Sequence, residues 1–213
     1  MTTSPPNEAE AAEQVVADMV RRARTAQAEF ARYSQQRVDH VVAAVAWAIA
    51  EPGRALELAE IAVRDTGLGN VEDKTLKNQR KTMGTLRDLT DAKSVGVISE
   101  DRASGITEYA KPMGVVAAVC PSTNPAATPA NKTMMVLKGG NAVILSPSPK
   151  GASTCALLVR HIHEQFDRLG VPRDLVQYTA APSKALTFEL MRQADFVVVT
   201  ETNLRWIQWG WLE

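Results

Sequence analysis

The side chains that could act on a ligand gather at two places, Pro121–Ser122–Thr123–Asn124 and Ser146–Pro147–Ser148–Pro149. Each quartet follows an apolar run and mixes hydroxyl or amide groups with stiff prolines, so its chemistry is hydrogen bonding to a bound molecule. Cys120, just before the first quartet, is a thiol, but a thiol attacks only once a base or helix N-terminus lowers its pKa from about 8.5, and no neighbouring residue supplies either. It reads as a packed core residue, as does Cys155. His161 and His163 are two apart on one predicted helix, do not share a face and make a poor metal pair; His40 stands alone. No paired carboxylates, phosphate loop or Ser-His-Asp set appears, no metal site is expected, and KGGN at 138–141 is a turn rather than a dinucleotide fingerprint. Asn124 before Pro125 is, on the tripeptide alone, a turn starter.

The elements that position these residues can be read around them. Val115 to Val119 is an apolar run bounded by Gly114 and Pro121, as suits a strand buried on both faces, and Ala142 to Leu145 is a second. Between them Thr128 can cap a helix with Pro129 in its first turn, and Gly139 with Gly140 can end it. Strand, helix, strand at this length is a parallel βαβ unit, and both quartets then lie at carboxyl strand ends, where open α/β sheets bind ligands.

Upstream, residues 1–7 read as a frayed arm, and four helices form a layer over 8–93. The first runs from Glu8 to about Tyr33, with Val16, Met19, Val20, Ala23, Phe30 and Tyr33 inward. The second covers Gln35 to Ala50, and the third covers Arg54 to Thr66, closed by Gly67. The fourth, Glu72 to about Thr90, is expected to bury Leu76, Met83, Leu86 and Leu89 and to show Lys74, Lys77, Arg80 and Lys81 to solvent. Over 94–111, Ser94 to Ser99 and Ile106 to Ala110 form a ribbon that either pairs with another subunit or lies as an edge hairpin covering the domain. Beyond the central unit come a helix from Gly151 to Leu169, a strand from Leu175 to Thr179, a helix from Pro182 to Gln193 and a strand from Asp195 to Thr200. The fold class is α/β: an N-terminal helical layer plus an incomplete doubly wound parallel sheet over 112–200.

Composition narrows the function classes. The 213 residues carry 24 basic and 24 acidic side chains, so no charge footprint for nucleic acid or an anionic membrane is present. No apolar run approaches the roughly 20 residues of a membrane span, the polar start is unlike a signal peptide, and two cysteines are too few for a disulfide framework. A cytoplasmic protein is expected.

The paired motifs PMGVVAAVCPSTNPAAT at 112–128 and LKGGNAVILSPSPKG at 137–151 resemble the nicotinamide-binding domain of the CoA-acylating aldehyde dehydrogenases, and residues 74–100 are most similar to the sulfoacetaldehyde-type branch. The resemblance runs from about Glu8 to Thr200. It implies a Rossmann-like cofactor domain binding NAD or NADP, coenzyme A as co-substrate, a small aldehyde as substrate, and oxidation of that aldehyde to an acyl-CoA. By it, Asn124 donates its amide hydrogen bond to the oxyanion of the reacting aldehyde. Pro121, Ser122 and Thr123 line the nicotinamide half of the cofactor, and Ser146 and Pro147 meet the ribose; SPSP here departs from the SPHP of the branch. A Pro-rich βα loop with no ligand role remains the alternative for both quartets, most evenly balanced for the second.

The resemblance stops at Glu201, where glycines opening a helix would be expected, and 201–213 read as an off-family tail rich in tryptophan. The family's cysteine segment is not found, so a truncated enzyme, inactive alone, is expected. A dinucleotide-binding module, a homo-oligomer or a partner of a full-length relative are the alternatives.

Overall fold

A computed structural model describes residues 8–200. The expected arm at 1–7 and the tail at 201–213 lie outside the described residues.

Four helices come first: α1 Glu8–Phe30, α2 Gln35–Ala50, α3 Pro52–Thr66 and α4 Val71–Thr90. Polar side chains start three of them, as first-turn N–H groups require a partner. Ser34 accepts from Arg37 N, Glu51 from Arg54 N and Asn70 from Asp73 N. Pro52 and Gly53 do not separate α2 from α3 as a loop; proline begins α3, where its missing N–H costs nothing.

The strands β1 Gly96–Asp101 and β2 Ile106–Ala110 pair antiparallel with a bulge between Val97 and Ser99. Every residue of β1 is exposed. The ribbon therefore stands away from the domain and does not cover it.

The remainder alternates strand and helix: β3 Val115–Cys120, α5 Ala127–Lys138, β4 Ala142–Pro147, α6 Ala152–Leu169, β5 Val176–Tyr178, α7 Lys184–Gln193 and β6 Phe196–Val199. All pairings in this sheet are parallel and the order is β5-β4-β3-β6. The chain builds outward from β3 through β4 to β5, then crosses back to place β6 on the other side of β3. That reversal puts α7 on the opposite face from α5 and α6. Helix α1 packs on α7, β3 and β4, while α2 packs on both α5 and α6. Strands β3 and β4 are buried along their whole length, which explains their unbroken apolar character.

Two expectations are corrected. Thr128 caps nothing: α5 starts two residues earlier than that cap would place it, at Ala127 after Ala126 and without a side-chain cap, and the Thr128 N–H donates to the Asn124 carbonyl at 3.3 Å. The faces of α4 are also not as expected, for its buried stripe is polar, Lys74, Asn78 and Thr82 at a spacing of four. Leu76 and Met83 face outward at 40% and 49% exposure, while Leu86 and Leu89 are half-buried. Two members of the stripe meet backbone carbonyls, Asn78 donating to Ala55 O at 3.0 Å and Lys74 to Thr123 O at 3.0 Å, while the buried Thr82 hydroxyl makes no hydrogen bond among the described residues. Lys77, Arg80 and Lys81 do remain in solvent.

The amino end of β3 is closed by acceptors. Asp195 accepts from Val115 N at 2.8 Å and takes a two-pronged contact from Arg24 at 2.9 Å on each oxygen. Asn141 accepts from Met113 N at 2.5 Å and Gly114 N at 2.9 Å. Gly114 sits at φ 122°, and a Cβ there would come within 2.3 Å of an Asp195 carboxylate oxygen, so no other residue fits.

Candidate functional site at the carboxyl ends of the sheet

Because β6 lies beside β3 while α5 leaves on the other face, a crevice opens between the carboxyl ends of these two strands. The turn 121–126 leaves β3 across it. Pro121 is buried, Ser122 and Asn124 are half-buried, and Thr123 is exposed. The turn is wedged in place by Pro125, whose Cβ lies so near Gly151 at the start of α6 that an added Cβ would meet it at 2.8 Å. The Asn124 side-chain amide makes no hydrogen bond among the described residues. The Asx turn that the tripeptide suggests is therefore not formed, and both amide N–H groups are available to a ligand.

Two ammonium groups hold the walls of this crevice. Lys132, on α5, is 3% exposed and donates to Val119 O at 2.5 Å and Val198 O at 3.0 Å, bridging the last turns of β3 and β6. Lys74, on α4, reaches the turn itself through Thr123 O. Burial, and then the neighbouring Lys77 charge, pull the Lys74 ammonium below the ordinary lysine range. Neither lysine was marked by the sequence as part of the site; Lys74 in particular was assigned to a solvated face. A lone charge inside the apolar helix from Ala130 to Leu137 was the available signal for Lys132. For Lys74 the signal was the repeat with Asn78 and Thr82.

Beside the turn lies a cleft of about 320 Å³ between β3, β4 and the start of α7. Val119, Cys120, Ser146, Pro147, Ser183 and Thr187 are among its lining residues. The structure thus brings Ser146 and Pro147 into one cavity with Cys120, whereas Pro121, Ser122, Thr123 and Asn124 form the adjoining turn and do not line it. Thr187 gives its single hydroxyl proton to Ser183 O at 2.9 Å, so the 2.9 Å contact with Ser146 is one in which Ser146 donates. Ser146 faces the cleft with its proton already used and its lone pairs as acceptors. Its second-strand position is secured by Ser148 N, which donates to Cys120 O at 3.0 Å.

Both cysteines are buried and form no disulfide. Burial, followed by the nearby Cys120, pushes the Cys155 thiol well above its ordinary range, which leaves it unreactive. His161 Nε2 meets Glu57 at 3.1 Å and His163 Nε2 meets Val176 O at 2.8 Å, so the two rings turn to different partners. Among the described residues no helix is long and apolar enough to cross a membrane.

Known proteins share this fold. The model of the aldehyde dehydrogenase family matches residues 7–203. The acylating sulfoacetaldehyde dehydrogenase of Cupriavidus necator is 62% identical over 204 residues, which is 94% of this chain and 41% of that protein. The crystal structure of an acetylating aldehyde dehydrogenase from Geobacillus thermoglucosidasius superposes with a TM-score of 0.88 at 33% identity, over 97% of this chain and 46% of that one. A Rhodopseudomonas palustris propionaldehyde dehydrogenase solved with bound coenzyme A gives a TM-score of 0.74 at 27% identity, over 88% and 42%. The chain therefore spans about two fifths of the length of the sulfoacetaldehyde dehydrogenase it matches, with all four sheet strands, the turn and both proline-flanked motifs inside the residues the family model covers. A parallel sheet that reverses beside its first strand, carrying an asparagine turn at the reversal and matched almost end to end by this family, leaves one conclusion: the chain belongs to the aldehyde dehydrogenase family.

Proposed function

We propose that this chain forms the nucleotide-binding portion of an acylating aldehyde dehydrogenase acting on sulfoacetaldehyde, with NAD or NADP as acceptor and coenzyme A as acyl acceptor. The observation that carries the reading is the Asn124 amide, uncommitted at the sheet's reversal point and backed by a 62% identical relative of that activity. The cleft suits the nucleoside part of a dinucleotide: it has flat apolar walls from Val119, Pro147 and Pro182 and hydroxyl oxygens from Ser146, Ser183 and Thr187. When bound, the dinucleotide supplies the hydride acceptor. Pro121, Ser122 and Thr123 hold its nicotinamide end by backbone and hydroxyl contacts, and Ser146 and Pro147 hold the ribose. Asn124 donates to the oxygen of the aldehyde carbon as that oxygen gains charge, a preorganised dipole of the kind worth roughly 3–4 kcal/mol in the transition state.

Fluorescence titration of NADH and NADPH into the 213-residue chain should saturate. No binding of either at millimolar concentration would remove the reading. The companion assay follows acyl-CoA formed from sulfoacetaldehyde, coenzyme A and NAD(P).

A second reading concerns assembly, and it is favoured by the exposed ribbon. Val97, Ile98, Ile106 and Tyr109 are 47%, 39%, 59% and 60% exposed on two strands that cover no part of their own domain. A second copy of the chain is the occupant that this ribbon suits. Light scattering should find a dimer or larger, reduced to monomer by Ile106→Ser with Tyr109→Ser; a monomer before substitution would dismiss it.

A further inference from the structure

Helix α4 belongs to the helical layer, remote in sequence from the nucleotide motifs, yet one of its side chains ends in the catalytic turn. The Lys74 Nζ donates to Thr123 O at 3.0 Å, and the residue as a whole is only 8% exposed. Burying an ammonium is unfavourable unless it is well bonded, and a methionine would fill the same channel without that cost. A lysine is needed for its donor, and the acceptor it serves belongs to the peptide that joins Thr123 to Asn124. That carbonyl is at the exposed tip of the turn, so nothing in the strand or in α5 could fix it. Downstream, the Asn124 carbonyl accepts the Thr128 N–H, and Pro125 is wedged against Gly151. With Lys74 on one side and Pro125 on the other, the plane of the Thr123–Asn124 peptide is fixed, and so is the direction in which the Asn124 side chain leaves the backbone.

We infer that Lys74 is a positioning residue for Asn124, through which the helical layer sets the aim of the amide that meets the aldehyde oxygen. Its importance to reaction rests on the functional reading above; its hold on the turn does not. The rest of the buried stripe supports the same role, since Asn78 anchors α4 to α3 through Ala55 O and so fixes the height of Lys74 above the turn.

The test compares the unsubstituted chain with Lys74→Met, Lys74→Arg and the exposed neighbour Lys77→Met by amide hydrogen exchange and thermal melting. In Lys74→Met, exchange across 122–127 should accelerate about tenfold, the loss expected of one charge-assisted hydrogen bond, while exchange in β3 and β4 stays unchanged. Lys77→Met should match the unsubstituted chain, and Lys74→Arg should restore part of the protection. Unchanged exchange at 122–127 in a folded Lys74→Met overturns the inference, as does acceleration spread evenly over sheet and turn. Should Lys74→Met not fold, Lys74→Arg decides: protection at 122–127 within a factor of two of the original supports the role, and full loss there opposes it. NADPH titration of the same variants is read separately. Failure of the unsubstituted chain to bind removes the functional reading and leaves the exchange result standing. If it binds, Lys74→Met should weaken affinity several-fold and Lys77→Met should not.

Discussion

The two ends of the parallel sheet are finished in opposite chemistry. At the amino end, strand N–H groups point outward and are met by acceptors, the Asp195 carboxylate and the Asn141 carbonyl, with Gly114 drawn in so closely that no side chain can intervene. At the carboxyl end, carbonyls point outward and are met by donors, the Lys132 ammonium at the strand carbonyls of Val119 and Val198 and the Lys74 ammonium at the Thr123 carbonyl of the turn that follows. Each charge has the sign that the exposed backbone dipoles ask for. The difference lies in closure. The amino end is shut by a short network within the sheet and α1, whereas the lysines reach in from α5 and α4 and leave a crevice between them. One end carries stability and the other carries a site.

Substitutions can break this contrast. The largest effect is expected for Gly114→Ala, which combines a backbone conformation hostile to a Cβ with a clash against Asp195; a loss of roughly 3 kcal/mol or more should appear in chemical denaturation. Asp195→Ala comes next, at about 2 kcal/mol, because it strands the Val115 N–H and the Arg24 guanidinium. Its carboxyl is pushed up by burial, but the Val115 N–H and Arg24 outweigh that and hold it below the ordinary 3.8. A depressed acid stabilises the fold above its unfolded-state value and loses that contribution as pH falls through the folded one. Stability should therefore drop below about pH 4 more steeply in the natural chain than in Asp195→Asn. Neither change should alter nucleotide affinity per folded molecule.

At the opposite end the pattern should reverse. Lys132→Met is expected to lower stability by about 1–2 kcal/mol, since two carbonyls lose a charged donor, yet to weaken NADH binding at least as strongly as any amino-end change. Thr187→Val should cost roughly 1 kcal/mol and release the Ser146 hydroxyl into the cleft, which calorimetric titration would register as altered affinity. Smallest of all, Met83→Ser on the outer face of α4 should change the free energy of unfolding by less than about 0.5 kcal/mol in chemical denaturation. An amino-end substitution that weakened binding without unfolding would end the division of labour.

The legible parts of this fold were those written in apolar runs and their punctuation. Val115 to Cys120 and Ala142 to Pro147 are buried from end to end, so each reads as a strand without ambiguity, and Gly67 and Gly170 mark helix ends in the left-handed conformation. Helix α4 misled because apolar periodicity assumes that a buried face is greasy, and here Lys74 and Asn78 turn inward to satisfy carbonyls. The same holds for the site. Its proline-flanked quartets were visible as local strings, but Lys74 with Thr123 and Ser146 with Thr187 meet across 49 and 41 residues, and no local pattern carries such a pairing.

Strand β6 gives the sheet a built-in ruler. Among the described residues it bonds to β3 alone, in a register fixed by Val116 opposite Phe196 through Val119 opposite Val199. Its outer side offers backbone groups at set intervals, and Phe196 there is 44% exposed. Any polypeptide laid alongside would have its phase dictated before its own side chains had a say. Because Lys132 grips the Val198 carbonyl, tension on that edge would reach the crevice through a single bond. Engineering that rim and adjusting the crevice are, for this molecule, coupled through Lys132.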